Sequence, residues 1–124
     1  MSLILIFSII FIHWVADFVL QTDWQAQNKS KNNSALLSHT YNYSLVWYIV
    51  GVPYALMNPN YVQWTLTAFV VITFVAHTIT DYFTSRLNSK LWADKKVHYF
   101  FVSVGFDQVL HYVQLFTTFY LLTK

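Results

Sequence analysis

Three pairs of residues set the chemical question. His13 and Asp17 lie four apart, as do His77 and Asp81, and Asp107 and His111 repeat the pair in reverse order. On a helix, residues i and i+4 share a face about one turn apart. Each pair therefore presents an imidazole and a carboxylate to the same neighbour. A further histidine, His39, has no acid at that spacing. Imidazole nitrogen and carboxylate oxygen together suit zinc, manganese or iron. The same groups also serve as proton relays or as hydrogen-bond ties between helices.

The medium around these pairs sharpens the choice. The 124-residue chain is 56% hydrophobic and 20% aromatic, with only 10% charged residues. A soluble domain averages about 25% charged, so the natural solvent of this chain is lipid. A formal charge of +2 gives no reason to expect nucleic acid. Without cysteine there is neither a disulfide nor a thiolate site. All five acids are aspartates. The start "MSLILIF" lacks the basic stretch of a signal peptide and reads as a retained anchor. Three aspartates at mid-membrane cost roughly 8–10 kcal/mol on insertion scales. Helix-to-helix polar bonds return only about 0.6 kcal/mol each. A bound cation offsets the difference, because buried charges are normally paired or metal-bound.

Stepping outward from the pairs, four apolar segments must carry them. A membrane helix needs about 20 mostly apolar residues. The spans are expected at about 3–20, 36–57, 61–83 and 97–122 of a single transmembrane domain, so the fold class is an all-α bundle of four transmembrane helices. "NKSKNNS" and "RLNSKLWADKK" are polar loops, and "MNPN" (57–60) is a tight turn. Pro53 should kink or locally break the second span. Lys29, Lys31, Arg86, Lys90, Lys95 and Lys96 all fall in the two polar loops. The positive-inside rule places those loops in the cytoplasm and both termini outside, in a multi-pass protein of the inner membrane. Trp24, Trp92 and Tyr99 suit the inner interface, and Tyr54, Tyr61, Trp64 and Tyr120 the outer one. With spans one and three running inward and span four outward, the reversed order Asp107–His111 keeps an aspartate layer and a histidine layer in register. That match needs spans one and three to continue past the bilayer, through "QTDWQAQ" and "TSRLNS", where no proline or glycine stops them.

The expected metal ligands are thus His13, Asp17, His77, Asp81, Asp107 and His111, holding one or two divalent ions (zinc, manganese or iron) near the cytoplasmic leaflet. His39 or an aspartate is the expected general base. Gln21, one turn beyond Asp17, and Gln108 are expected to support the ligands. The loop lysines are assigned to topology rather than to phosphate binding. A metal lowers the pKa of bound water toward about 7 and polarises a phosphoryl or acyl oxygen. The leading expectation is therefore a metal-dependent hydrolase acting on a lipid-like, prenyl-phosphate or other phosphate ester substrate. The rivals are a proton- or ion-coupled transporter component and a small scaffold subunit, alone, as a homo-oligomer or within a larger membrane complex. A polar path to the outer face would favour transport, and little of one is visible above His13 or His77.

The stretch "HWVADFVLQTDWQAQNKS", the later His39 and the closing "DQVLH" together resemble the DUF3307 family, small integral membrane proteins of bacteria and phages. The likeness covers most of the chain. It implies a multi-span membrane protein with no established activity. On its motif fall His13, Asp17, Gln21, Lys29, His39, Asp107 and His111, with His77 and Asp81 in a second element. A looser similarity joins the chain to membrane-bound proteins described as metal-dependent hydrolases, which also place His and Asp on apolar helices.

Overall fold

Ser2 starts the first helix: its side chain accepts a hydrogen bond from the Leu5 N–H at 3.2 Å. The computed structural model describes residues 1–59 and 63–124, the side chain of residue 63 excepted. Among the described residues the chain is all-helical, with no strand. Helix α1 (Leu3–Trp14) passes directly into a π-helical turn (Val15–Val19). Then come a short α2 (Asp23–Asn28) and three long helices, α3 (Asn33–Met57), α4 (Gln63–Ala93) and α5 (Val97–Leu122). The four long segments run antiparallel. One end carries the lysine-rich loops and is called here the basic end. The other, terminal end carries the start of α1 and the finish of α5.

The first helix does not continue through "QTDWQAQ". The π turn closes with a 2.9 Å bond from the Leu20 N–H to the Val15 carbonyl. Thr22 then opens α2 with a capping box: its hydroxyl accepts from the Gln25 N–H, and the Gln25 side chain accepts from the Thr22 N–H. Two orphan donors are satisfied reciprocally, which is reason enough for a new helix to start without proline or glycine. The Gln25 amide also donates to Ser38 at 2.9 Å and ties α2 to α3. Helix α4, by contrast, runs on to Ala93 as expected. Helix α3 carries through Pro53 to Met57 without a break. Of the expected 57–60 turn, Asn60 lies outside the described residues, as does Tyr61.

Among the described residues one helix, Trp64–Ala93, is both long and apolar enough to cross a membrane; Leu3–Val19 is apolar but shorter. Helices α3 and α5 have the length, but polar residues dilute them, among them His39, Thr40, Ser44, Asp107, His111 and Thr118, which the bundle buries. The usual pattern is inverted. The buried set includes His13, Asp17, His39, Thr40, Thr73, His77, Asp81, Asp107 and His111. Apolar burial is concentrated toward the terminal end, in Ile9, Trp47, Phe69 and Leu115. Meanwhile Phe7, Phe11, Ile49, Val71, Ile79, Phe83, Phe101 and Phe106 point outward.

Candidate metal centre

Each long segment contributes to one cluster near the middle of the bundle. The i,i+4 spacing of α4 puts His77 and Asp81 on one face, and that of α5 does the same for Asp107 and His111. In the first segment the pair is split between elements: His13 ends α1, and Asp17 lies inside the π turn. Such wider turns recur at functional sites. His39 arrives from α3, one and a half turns after its start.

The histidine Nε2 atoms and the carboxylates converge. His39 Nε2 lies 3.0 Å from Asp17 Oδ1 and 3.4 Å from Asp81 Oδ2. His77 Nε2 lies 3.4 Å from Asp17 Oδ1 and 3.3 Å from His39 Nε2. His111 Nε2 lies 3.1 Å from Asp81 Oδ1 and 3.4 Å from Asp107 Oδ1. All but Asp107 are almost wholly buried; Asp107 is 9% exposed and marks the edge of the cluster. In a tetrahedral shell with bonds of about 2.0–2.1 Å, neighbouring donor atoms stand roughly 3.3–3.4 Å apart. The contacts above are of that size, while His77 Nε2 stands 3.7 Å from Asp81 Oδ1, and the group could hold a metal ion. Two groups have donor atoms all within 4.8 Å of one another: Asp17, His39, His77 and Asp81, and Asp17, Asp107 and His111.

His13 and His39 differ in how closely they join the cluster. Both ring nitrogens of His13 are engaged, Nδ1 with the Tyr43 hydroxyl at 2.8 Å and Nε2 with Gln108 Oε1 at 2.8 Å. Its distance to Asp17 is 3.7 Å. His13 therefore flanks the cluster, while His39, expected as a base standing apart, is at its centre. Gln108 reaches back to Asp107, its amide donating to Oδ2 at 3.1 Å. The Thr84 hydroxyl donates to Asp107 Oδ1 at 2.6 Å. The His77 ring stacks on Tyr43, with centroids 3.8 Å apart, and on His111, at 4.2 Å. Gln21, expected one turn along a continuous helix, lies instead in the break before α2, and its buried Oε1 has no hydrogen-bond partner.

Lys29 was assigned to topology, and the structure places it in the cluster. Because α2 folds back across the basic end, Lys29 Nζ reaches Asp81 Oδ2 at 2.8 Å. Burial alone would lower its pKa, but Asp81, with Asp17 and Asp107 behind it, raises it above the ordinary lysine range. The group is a firm ammonium. Lys31, Lys95 and Lys96 remain exposed. Sequence spacing held one signal for this arrangement, the T-x-x-Q of Thr22–Gln25, which marks a helix start. Spacing puts Tyr43, like Asn42, on the same helix face as His39; its role comes from its neighbours.

Toward the terminal end lies an apolar cavity of about 430 Å³, lined by Ile9, Trp47, Gly51, Leu66, Phe69 and Phe119 among others. A short polar file leads toward it from the cluster. The Gln114 amide donates to Thr73 and to Thr118, each at 3.1 Å, and Thr73 lies one turn from His77.

The chain belongs to the family described as "Protein of unknown function (DUF3307)", whose model matches residues 4–124. Searches of curated proteins and of solved structures returned no match.

Proposed function

We propose that this chain is a four-span protein of the cytoplasmic membrane, its basic end inside, and that its buried His/Asp cluster holds a divalent metal used for hydrolysis. The observation that carries the metal is the shell formed by Asp17 Oδ1, His39 Nε2, His77 Nε2 and Asp81 Oδ2, with spacings of 3.0–3.4 Å where pairs are in contact. Charge adds to it. Three buried carboxylates face one ammonium, and a divalent ion supplies the missing positive charge. With its Nε2 in this shell, His39 serves as a ligand rather than as the base.

The membrane reading rests on the inverted exterior. Val71, Val75, Ile79 and Phe83 of α4 are 47–67% exposed. A soluble protein's core helix would bury them. Phe7 and Phe11 of α1 and Phe101, Val109 and Val113 of α5 face outward as well. Exposed aromatics stand at both ends, Trp24, Trp92 and Tyr99 at the basic end and Trp64 and Tyr120 at the other, as interfacial belts require.

A divalent ion lowers the pKa of water and polarises a phosphoryl or acyl oxygen. In the hydrolysis, the water oxygen bonds to that centre, the ester bond breaks, and the proton from water goes to the leaving oxygen. Lys29 and Asp107, the more open members, sit on the basic-end edge of the cluster. An ester with an anionic head and an apolar tail, such as a prenyl phosphate, suits that edge: its head meets the ammonium while its tail stays among the exposed apolar faces. The ion-relay reading has its own support in the file Thr73–Gln114–Thr118, together with the buried Ser44 Oγ and Gln114 Oε1, which lack hydrogen-bond partners. Buried polar atoms of this kind commonly hold water.

Two experiments test the proposal. Protein purified in detergent should gain thermal stability when zinc or manganese is restored after chelation; no shift with any divalent ion overturns the metal assignment. For topology, cysteines placed at Asn32 and Ser89 should resist a membrane-impermeant thiol reagent in intact cells, and one at Asn58 should react. The reverse labelling inverts the orientation.

A further inference from the structure

We infer that the cluster is built for two metal ions rather than one, with Asp17 and Asp81 as carboxylates shared between them; this rests on the metal reading above. One tetrahedral ion is satisfied by His39 Nε2, His77 Nε2 and one oxygen each from Asp17 and Asp81. That allotment leaves His111 and Asp107 unused, though their facing atoms are 3.4 Å apart and His111 is buried. The second oxygen of Asp81 faces this unused pair, and Asp17 has a ligand atom within 4.8 Å of it. Asp81 turns Oδ2 toward His39 and Oδ1 toward His111, the latter at 3.1 Å. Asp17 belongs to both ligand groups, the one with His39, His77 and Asp81 and the one with Asp107 and His111. Two carboxylates facing two donor sets are what a pair of ions about 3.5–4 Å apart requires.

The surroundings of Asp107 agree. Its carboxylate is held by neutral donors, the Thr84 hydroxyl and the Gln108 amide. Lys29 binds Asp81 instead. Among the described residues, the only ion-pair partner of Asp107 is His111. An aligned carboxylate beside a buried imidazole, with no lysine or arginine in ion-pair contact, offers an ion position. Its place at the open edge makes the second ion the one nearer to substrate. Two divalent ions and Lys29 against three carboxylates leave two positive charges, which selects an anionic substrate, a phosphate ester over a neutral carboxylic ester.

The test loads full-length protein in detergent with manganese after chelation. Wild type should bind two ions per chain, and its electron paramagnetic resonance spectrum should show exchange coupling between them. Asp107→Asn should bind one, with an uncoupled six-line spectrum and unchanged affinity for the ion retained. Should that variant fail to fold, the wild-type spectrum decides alone. One uncoupled ion per wild-type chain overturns the paired centre while leaving the single-metal reading intact. No bound ion at all overturns both.

Discussion

At the terminal end, Ile9, Trp47, Phe69 and Phe119 surround a cavity of about 430 Å³. A few turns toward the basic end, the same four segments bury four histidines and three aspartates around a common point. The first region is loosely filled, and hydrocarbon contacts hold it. The second is tightly filled by groups that lose stability when buried without a counter-charge. On the membrane reading proposed above, helices associate by van der Waals packing as well as by polar bonds, and the terminal half supplies apolar packing. Polar bonds worth about 0.6 kcal/mol each do not offset the buried charge of the other half, hence the bound cation proposed there.

The largest expected effects fall on the polar half. Asp17→Asn and Asp81→Asn should each weaken metal binding more than about 100-fold, beyond the loss expected for groups that only support a ligand. The two should then differ when metal-free. Asp17→Asn keeps hydrogen bonds with its histidines and should leave the apo melting temperature near wild type. Asp81→Asn strands the Lys29 ammonium and should cost about 3 kcal/mol, in the range for breaking a buried pair. Equal metal binding in both variants and wild type, by titration calorimetry, would erase the distinction between the halves.

In the apolar half, Leu115→Ala opens a cavity within the buried cluster of Ile9, Trp47 and Phe69. Its cost should be about 2 kcal/mol, the low end of the range for buried leucines, on the proposed membrane reading, where lipid removes the transfer component. Metal affinity should stay within twofold. A metal loss as large as that of Asp17→Asn would mean the two regions are not separable.

Tyr43 joins the regions, stacked on His77 and bonded to His13. Tyr43→Phe removes only the hydroxyl and should weaken metal binding about tenfold, as loss of a ligand-orienting bond does. An unchanged titration would make Tyr43 a packing residue. The narrowest effect, a change in pH dependence, concerns Lys29. Its pKa is raised in the folded state, so its contribution to stability is complete below the unfolded value of about 10.4. That contribution is lost as pH climbs through the higher folded value. Lys29→Met should lower the melting temperature at pH 8 and flatten its decline above about pH 10. Parallel curves for variant and wild type would show that the ion pair adds nothing.

How far the sequence revealed this arrangement depended on whether each contact was local. The three i,i+4 pairs needed only the helical repeat, and all six residues came to one place in the bundle. The antiparallel order followed from short loops between apolar segments. His39 has no acid one turn away, and only packing against the π turn and α4 shows that its Nε2 meets both Asp17 and Asp81. His13 looked like a ligand by spacing, but its two nitrogens are taken by Tyr43 and Gln108 from other helices. The break at Thr22 is written in the sequence as T-x-x-Q, a cap that starts a helix without proline or glycine. That break carries Lys29 over the cluster, so one missed cap hid one site residue.

Whether these imidazoles and carboxylates hold a metal can be read from X-ray absorption at the zinc edge of zinc-loaded protein. The spectrum should show a shell of nitrogen and oxygen at about 2.0–2.1 Å, with the outer-shell scattering of at least two imidazole rings. That scattering should fall in a His39→Ala, His77→Ala variant. A shell of oxygen alone, or one unchanged in that variant, would place the zinc elsewhere and contradict the metal assignment.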